Sequence, residues 1–260
     1  MNNKDGHSPA HHAALAELLD PVTIARLSEL GDWKSATCVD VGAGGGSIAM
    51  WLADQVGDDG RVFATDMDPD QIPHHRRLLR VQHDIRGDDP LAGGLYDLII
   101  ARLVLSHLPD REAILHRLAN RLAAGGTLVV ADWATLRDRE ETIVAAPSEE
   151  AADLYATYQR TVGKDVFDAA GTDRNWARRI HPVMLTAGLT EVETRVSAEY
   201  WTGGGAGTRF VAAVLQQVRP RLLAAGMTDL QLHKTLAILD DPGLVIHGHP
   251  FYITSGRRPE

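Results

Sequence analysis

The chain has 260 residues and a formal net charge of −9, with 44% hydrophobic and 23% charged residues. This is an ordinary balance for a globular chain in water. No run approaches the roughly 18 apolar residues of a membrane span, and the opening MNNKDGHSPAHH lacks the apolar stretch of a secretory leader, so a cytoplasmic protein with no membrane contact is expected. An acidic surface repels phosphate backbones, so nucleic acid is not an expected partner, and a lone cysteine, Cys38, excludes an internal disulfide and a Cys-rich zinc site.

Residues 1–12 read as a loose polar arm. Leu15, Leu18, Leu19, Val22, Ile24, Leu27 and Leu30 then recur at helical spacing, and Asp20 followed by Pro21 predicts a break into two short helices. TCVDVG reads as a buried strand, SIAMWLADQV as the helix after it, and RVFATD, LLRVQHD, YDLIIAR and GTLVVAD as four further strands. The connection from Asp68 to Leu78 has room only for a turn of helix, interrupted by Pro73. REAILHRLANRLAAGG predicts a helix stopped by its glycines. Continuous apolar strands alternating with amphipathic helices indicate a parallel sheet covered on both faces, so residues 37–132 are α/β. Residues 133–170 read as helical and acidic, without a strand. WARRIHPVMLTAGL predicts a helix ending at Gly188, TEVETRVSAEYW a strand, GGGAGT a hinge, FVAAVLQQVRPRLLAAGM and LQLHKTLAILDD helices, and LVIHGHPFYITSGRR a single closing strand.

The informative segment is Val39-Asp40-Val41-Gly42-Ala43-Gly44-Gly45-Gly46-Ser47, at the carboxyl end of the first strand and the start of a helix. Glycines at 42, 44 and 46 let the backbone turn sharply and let a ligand lie against the main chain. This D-x-G-x-G-x-G pattern resembles motif I of the class I S-adenosylmethionine-dependent methyltransferases. The resemblance implies a doubly wound, seven-stranded, mostly parallel sheet with N-terminal helices and a helical lid inserted after the fifth strand. It also implies S-adenosylmethionine as cofactor, with S-adenosylhomocysteine as its product. The chain then divides into a helical arm or lid (1–36), a cofactor-binding core (37–132), a helical insertion over the substrate (133–180) and a completion of the sheet (181–260).

Gly44, Gly46 and Ala49 also satisfy the dinucleotide fingerprint G-x-G-x-x-A, and Asp66 supplies the acidic residue that either ligand's ribose needs. Asp40 distinguishes the two ligands. A carboxylate beside a diphosphate costs energy, whereas one beside a methionyl ammonium or sulfonium gains it. By the resemblance, Asp40, Gly42, Ala43, Gly44 and Gly46 bind the cofactor, and Asp66 its ribose. Met67 packs on the adenine or ribose, Asp84 and Ile85 in VQHDI lie beside the adenine, and Ala101 and Arg102 border the methionine.

Methyl transfer requires a base only when the acceptor loses a proton. The candidates are His107, Asp132, His247 and His249, the last two sharing a face if they lie on one strand. No third ligand accompanies them, so no metal is expected. Trp33, Trp133, Tyr155, Tyr158, Trp176, Tyr200 and Trp201 concentrate outside the core segments, which points to a small aromatic acceptor, although lid anchoring accounts for such residues equally well. The closing third, from RNWARRIHPVMLTAGL through RFVAAVLQQVRPRLL to LDDPGLVIHG, resembles actinobacterial methyltransferases that tailor secondary metabolites, some of them at indole carbon C3. The expectation is therefore an enzyme methylating a small natural-product-type acceptor, with a homodimer as the default assembly. A cofactor-binding protein that does not transfer methyl groups and an NAD-type oxidoreductase remain as alternatives.

Overall fold

The computed structural model describes residues 9–87, 91, 94–136 and 138–260. One helix, α1 (Pro9–Leu30), stands where two were expected, and it takes in His11 and His12 of the supposed arm, while residues 1–8 lie outside the described residues. Pro21 removes one N–H and crowds the preceding turn, but Leu19 and Leu27 on either side of it are buried, and such packing holds a helix through a local defect.

The elements β1 (Thr37–Val41), α2 (Ser47–Gln55), β2 (Arg61–Asp66), β3 (Leu78–Gln82) and β4 (Tyr96–Arg102) fall on the expected segments. Between β2 and β3 there is only a one-turn helix, Pro69–Gln71. The helix α3 (Arg111–Ala119) is shorter than expected, because Leu122 already begins β5 (Leu122–Trp133). The two glycines that were read as a helix stop form a bulge instead. Tyr96 pairs with Leu122 but Leu98 with Thr127, Gly125 has a φ of 69°, and a Cβ on Gly126 would lie 2.7 Å from the Tyr96 carbonyl oxygen.

After α4 (Arg139–Thr142) comes β6 (Ile143–Ala145), a short strand where none was expected, and then α5 (Glu149–Thr161), whose N-cap Ser148 accepts the Ala151 N–H at 3.1 Å. The next helix, α6 (Ile180–Thr186), ends ahead of Gly188, as expected. The segment read as one strand divides into β7 (Thr190–Ser197) and β8 (Tyr200–Thr202). The helices α7 (Ala206–Ala224) and α8 (Asp229–Asp240) follow, the latter opened by a capping box of Thr228 and Gln231. The closing stretch also divides, into β9 (Val245–His247) and β10 (Phe251–Arg257), which belong to different sheets.

Contacts group the chain into two units. The sheet unit comprises Asp20–Trp133, Asn175–Val196 and Phe251–Glu260. Its seven strands run in the order β3-β2-β1-β4-β5-β10-β7, with β1 parallel to β2 and β4, β2 parallel to β3, β4 parallel to β5, and β10 antiparallel to β5. The strand order reverses between β1 and β4, and in such sheets ligands bind beyond the carboxyl ends of the strands at that point. Cys38, Val39, Leu98, Ile99, Ile100, Val129 and Val130 fill the middle of the sheet, and burial pushes the Cys38 thiol up to about 12, making it inert.

The second unit comprises Met1–Leu19, Ala134–Arg174 and Ser197–Pro250. It holds an antiparallel three-stranded sheet in the order β6-β9-β8 and the mutually packed helices α5, α7 and α8. Of the aromatics set out above, Trp33, Tyr155, Tyr158, Trp176 and Trp201 are buried, while Tyr200 is exposed, so most of the enrichment is a packing signal. No helix of the described residues is long and apolar enough to cross a membrane. The Trp201 indole fills the space that a Cβ on Gly207 or on Gly248 would need. Gly248→Ala should therefore overpack this unit and cost about 1–3 kcal/mol, a fall of about 2–4 °C in Tm per kcal/mol for a chain of this size. Unchanged thermal denaturation would contradict the packing.

Candidate functional site

The strand β1 ends in a loop whose glycines do separate jobs. Gly42, Gly44 and Gly46 have φ of 67°, 55° and 77°, a region that side chains with a Cβ avoid. A Cβ on Gly42 would collide with the Val104 side chain, and one on Gly46 would lie 2.7 Å from Ile72 Cγ2. The loop is tied down by the Ala43 N–H on the Thr65 carbonyl at 3.0 Å and the Gly46 N–H on the Ala43 carbonyl at 2.8 Å. The Gly44 N–H points to the carboxylate at the end of the next strand, donating to Asp66 Oδ2 at 3.0 Å.

Asp40 is only 4% exposed. Burial pushes its carboxyl from the usual 3.8 up to about 7, Arg102 and the Ala49 N–H pull the other way, and Asp66 and Asp20 add to the rise. Asp66, 8% exposed, accepts the Asp68 N–H on Oδ1 at 3.0 Å as well as Gly44 on Oδ2. Each of its oxygens keeps a further lone pair, so the carboxylate can still accept a pair of ribose hydroxyls. Met67, 38% exposed, offers an apolar side chain next to it.

Other expected contacts are arranged differently. Asp84 is gripped by its neighbour Arg86, with Nη2 at 2.6 Å and Nε at 2.9 and 3.1 Å, and this fork holds its carboxyl down at about 2. An adenine amino group would have to share the carboxylate with Arg86. Ile85 is half-buried, and its carbonyl accepts Arg117 Nη2 at 2.7 Å. Ala101 is buried in β4. Arg102 makes an ion pair with Asp20 at 2.8 Å, lies 3.3 Å from Thr23 Oγ1 and from Ser47 Oγ, and Ser47 in turn donates to Asp20 at 3.1 Å. Sequence reasoning missed Asp20, Thr23 and Ser47, since Asp20 before a proline looks like a helix cap.

Beyond Arg102 the chain turns through a short 3-10 segment, Leu105–His107, with His107 half-buried at its end. Asp132 at the end of β5 is 3% exposed, and burial pushes its carboxyl up to about 6, against the pull of the Ser106 hydroxyl and N–H, the Trp133 N–H and Arg111. Leu103 adopts a φ of 58°, a departure for which a single sequence carries no signal.

Asp40, the glycines, Ala43, Asp66, Met67, Asp84, Ile85, Ala101, Arg102, His107 and Asp132 all lie in the sheet unit, whereas His247 and His249 belong to the second unit. Those two do not share a strand face, because His249 lies past the end of β9. His247 Nδ1 is 2.8 Å from the Gly248 carbonyl, which can only accept, so Nδ1 is the donor in that contact. In His249 the arrangement is opposite. Its Nδ1 accepts the Leu136 N–H at 3.3 Å, and burial, Arg174 and His247 push it down to about 4, so it stays neutral with its lone pair engaged and makes a poor base. Among the described residues no group of His, Cys, Asp and Glu could hold a metal ion.

The chemistry of this donor set fits a cationic, ribose-bearing ligand. Asp20, Asp40 and Asp66 stand around the loop with Arg102, so a positive group gains there and a diphosphate would meet repulsion from buried carboxylates. Residues 39–128 match the methyltransferase domain family. The chain is 34% identical over 101 residues to methyltransferase str2 of Strobilurus tenacellus, a span of 37% of this chain and 36% of that protein. It is 30% identical over 132 residues to the ubiquinone biosynthesis O-methyltransferase of Xanthomonas oryzae pv. oryzae, 48% of this chain and 52% of that one. The chain therefore spans about half or less of the curated relatives it matches. Its fold is similar to that of a putative methyltransferase from Bacillus halodurans, with a TM-score of 0.57 at 17% identity, covering 92% of this chain and 100% of that one.

The buried carboxyl of Asp40 yields a test by stability. The unfolded chain loses this proton near 3.8 and the folded chain near 7. Between these values the folded state binds more protons, so stability falls as pH rises and the full cost is present above about 7. Asp40→Asn should therefore raise Tm over the wild type clearly at about pH 8 and little at about pH 4.5. An equal change at both would contradict the assignment.

Proposed function

We propose that the chain is a class I S-adenosylmethionine-dependent methyltransferase that methylates a small aromatic acceptor of the natural-product type, most readily at a hydroxyl oxygen. The observation that carries this reading is the glycine loop after β1 lying between two buried carboxylates, Asp40 behind it and Asp66 on the Gly44 N–H. The relative named for ubiquinone biosynthesis supports a small-molecule acceptor, and its O-methyl transfer supports oxygen as the atom methylated. The alternative acceptor, an indole carbon, rests on the resemblance of the closing third.

Bound S-adenosylmethionine supplies an electrophilic methyl carbon on a sulfonium centre. What the protein contributes is alignment and a dry setting. In this reading Asp66 accepts the ribose hydroxyls, the left-handed glycines let the backbone approach the ligand without Cβ contact, and Asp40, ionised, answers the positive charge. A phenolic acceptor loses a proton as it is methylated, and His107, half-buried in the same unit as the loop, is the group assigned to take it.

Calorimetry should find binding of S-adenosylmethionine and S-adenosylhomocysteine and none of NADH, and mass spectrometry after incubation with simple phenols should find the gain of one methyl group. Absence of binding by both sulfur ligands would end the reading. Asp66→Ala should weaken binding by about 1–3 kcal/mol, the range for hydroxyls losing a charged acceptor. Affinity should also rise as pH passes through about 7, because only the ionised form of Asp40 attracts the cation, and Asp40→Asn should flatten that dependence.

A further inference from the structure

Asp132 was a candidate proton acceptor, but its surroundings assign it other work. The carboxylate is buried and surrounded by donors: the Ser106 N–H reaches Oδ2 at 3.1 Å, the Trp133 N–H reaches Oδ1 at 2.9 Å, and the Ser106 hydroxyl also bonds to it. With both oxygens engaged by these donors and the side chain only 3% exposed, the carboxylate is committed to holding the chain around it. One residue earlier in β5, the Ala131 carbonyl accepts the Leu103 N–H at 2.8 Å. Leu103 is left-handed, a conformation that a branched apolar side chain adopts only where its surroundings enforce it. Its neighbour Val104 occupies the space a Cβ on Gly42 would need. The end of β5 thus grips the turn at Leu103 and at Ser106, and the residue between them against the glycine loop is Val104.

We infer that Asp132 is a positioning residue for the donor loop: by holding Ser106 it keeps residues 103–106 in their strained turn, so that Val104 packs on Gly42 and sets the shape of the loop. The inference rests on the reading of that loop as the S-adenosylmethionine site. It separates Asp132 from His107, which sits on the same turn but remains the residue assigned to the proton.

The test is Asp132→Asn, whose amide can accept on one atom only. A positioning role predicts a Kd for S-adenosylmethionine raised about tenfold by the lost charged hydrogen bond, a much smaller fall in turnover at saturating cofactor, and a pH–rate profile of unaltered shape. Adding Leu103→Gly should recover much of the affinity, because glycine takes the left-handed conformation without strain. Should Asp132→Asn fail to fold, Val104→Ala carries the test, with a weakened Kd expected for the same reason. Unchanged affinity in these variants overturns the inference, as does a collapse of saturating turnover at unaltered affinity, the signature of a proton acceptor. A wild-type chain that does not bind S-adenosylmethionine overturns the functional reading itself, whereas wild-type binding with an indifferent Asp132→Asn overturns this inference alone.

Discussion

Burying an ionisable oxygen pair in a sheet works against folding unless each oxygen finds a donor. The sheet unit buries such a pair near the carboxyl end of three strands, at Asp40 in β1, Asp66 in β2 and Asp132 in β5. Each is offset differently. Asp66 and Asp132 accept main-chain N–H groups from the turns that follow the strands, so their burial organises the loops. Asp40 has the Ala49 N–H and the charge of Arg102 but also two neighbouring carboxylates, and it remains the most poorly compensated. A ligand carrying positive charge would relieve it, which is how a destabilising residue comes to belong in a binding site.

The same logic ties the elements around the loop together. Arg102 is oriented by Asp20, Thr23 and Ser47, so the second half of α1 and the first turn of α2 share one charged side chain from β4. Glycine is needed at 42 because a neighbouring side chain, Val104, fills the vacant Cβ position, and at 46 because Ile72 does. The glycines therefore serve protein packing as much as ligand approach, and the tightness of this loop depends on the segments that follow β2 and β4.

The first five strands were legible because their apolar runs are continuous and bounded by polar turns, and the candidate residues on β1 and β2 stood out because glycine and aspartate at fixed offsets carry their chemistry openly. What stayed hidden depended on tertiary context. Pro21 looked like a break because burial of Leu19 and Leu27 cannot be seen locally. Gly125 and Gly126 looked like a helix stop because a bulge against Tyr96 requires knowing the partner strand. At Asp84 nothing local says that Arg86, two residues away, grips the carboxylate that an adenine would have to share. The histidines of the closing segment looked paired because nothing local says that the chain leaves one sheet after His247 and enters another at Phe251.

The strand β10 lies inside the seven-stranded sheet, between β5 and β7, although it is the last strand in chain order. During synthesis β5 and β7 must therefore wait with exposed edges until Arg257 has cleared the ribosome, and only then can the sheet be zipped shut. A nascent chain stalled anywhere in the second unit's α7 or α8 would present the apolar edge of β5 unpaired, an opening for aggregation or for a chaperone.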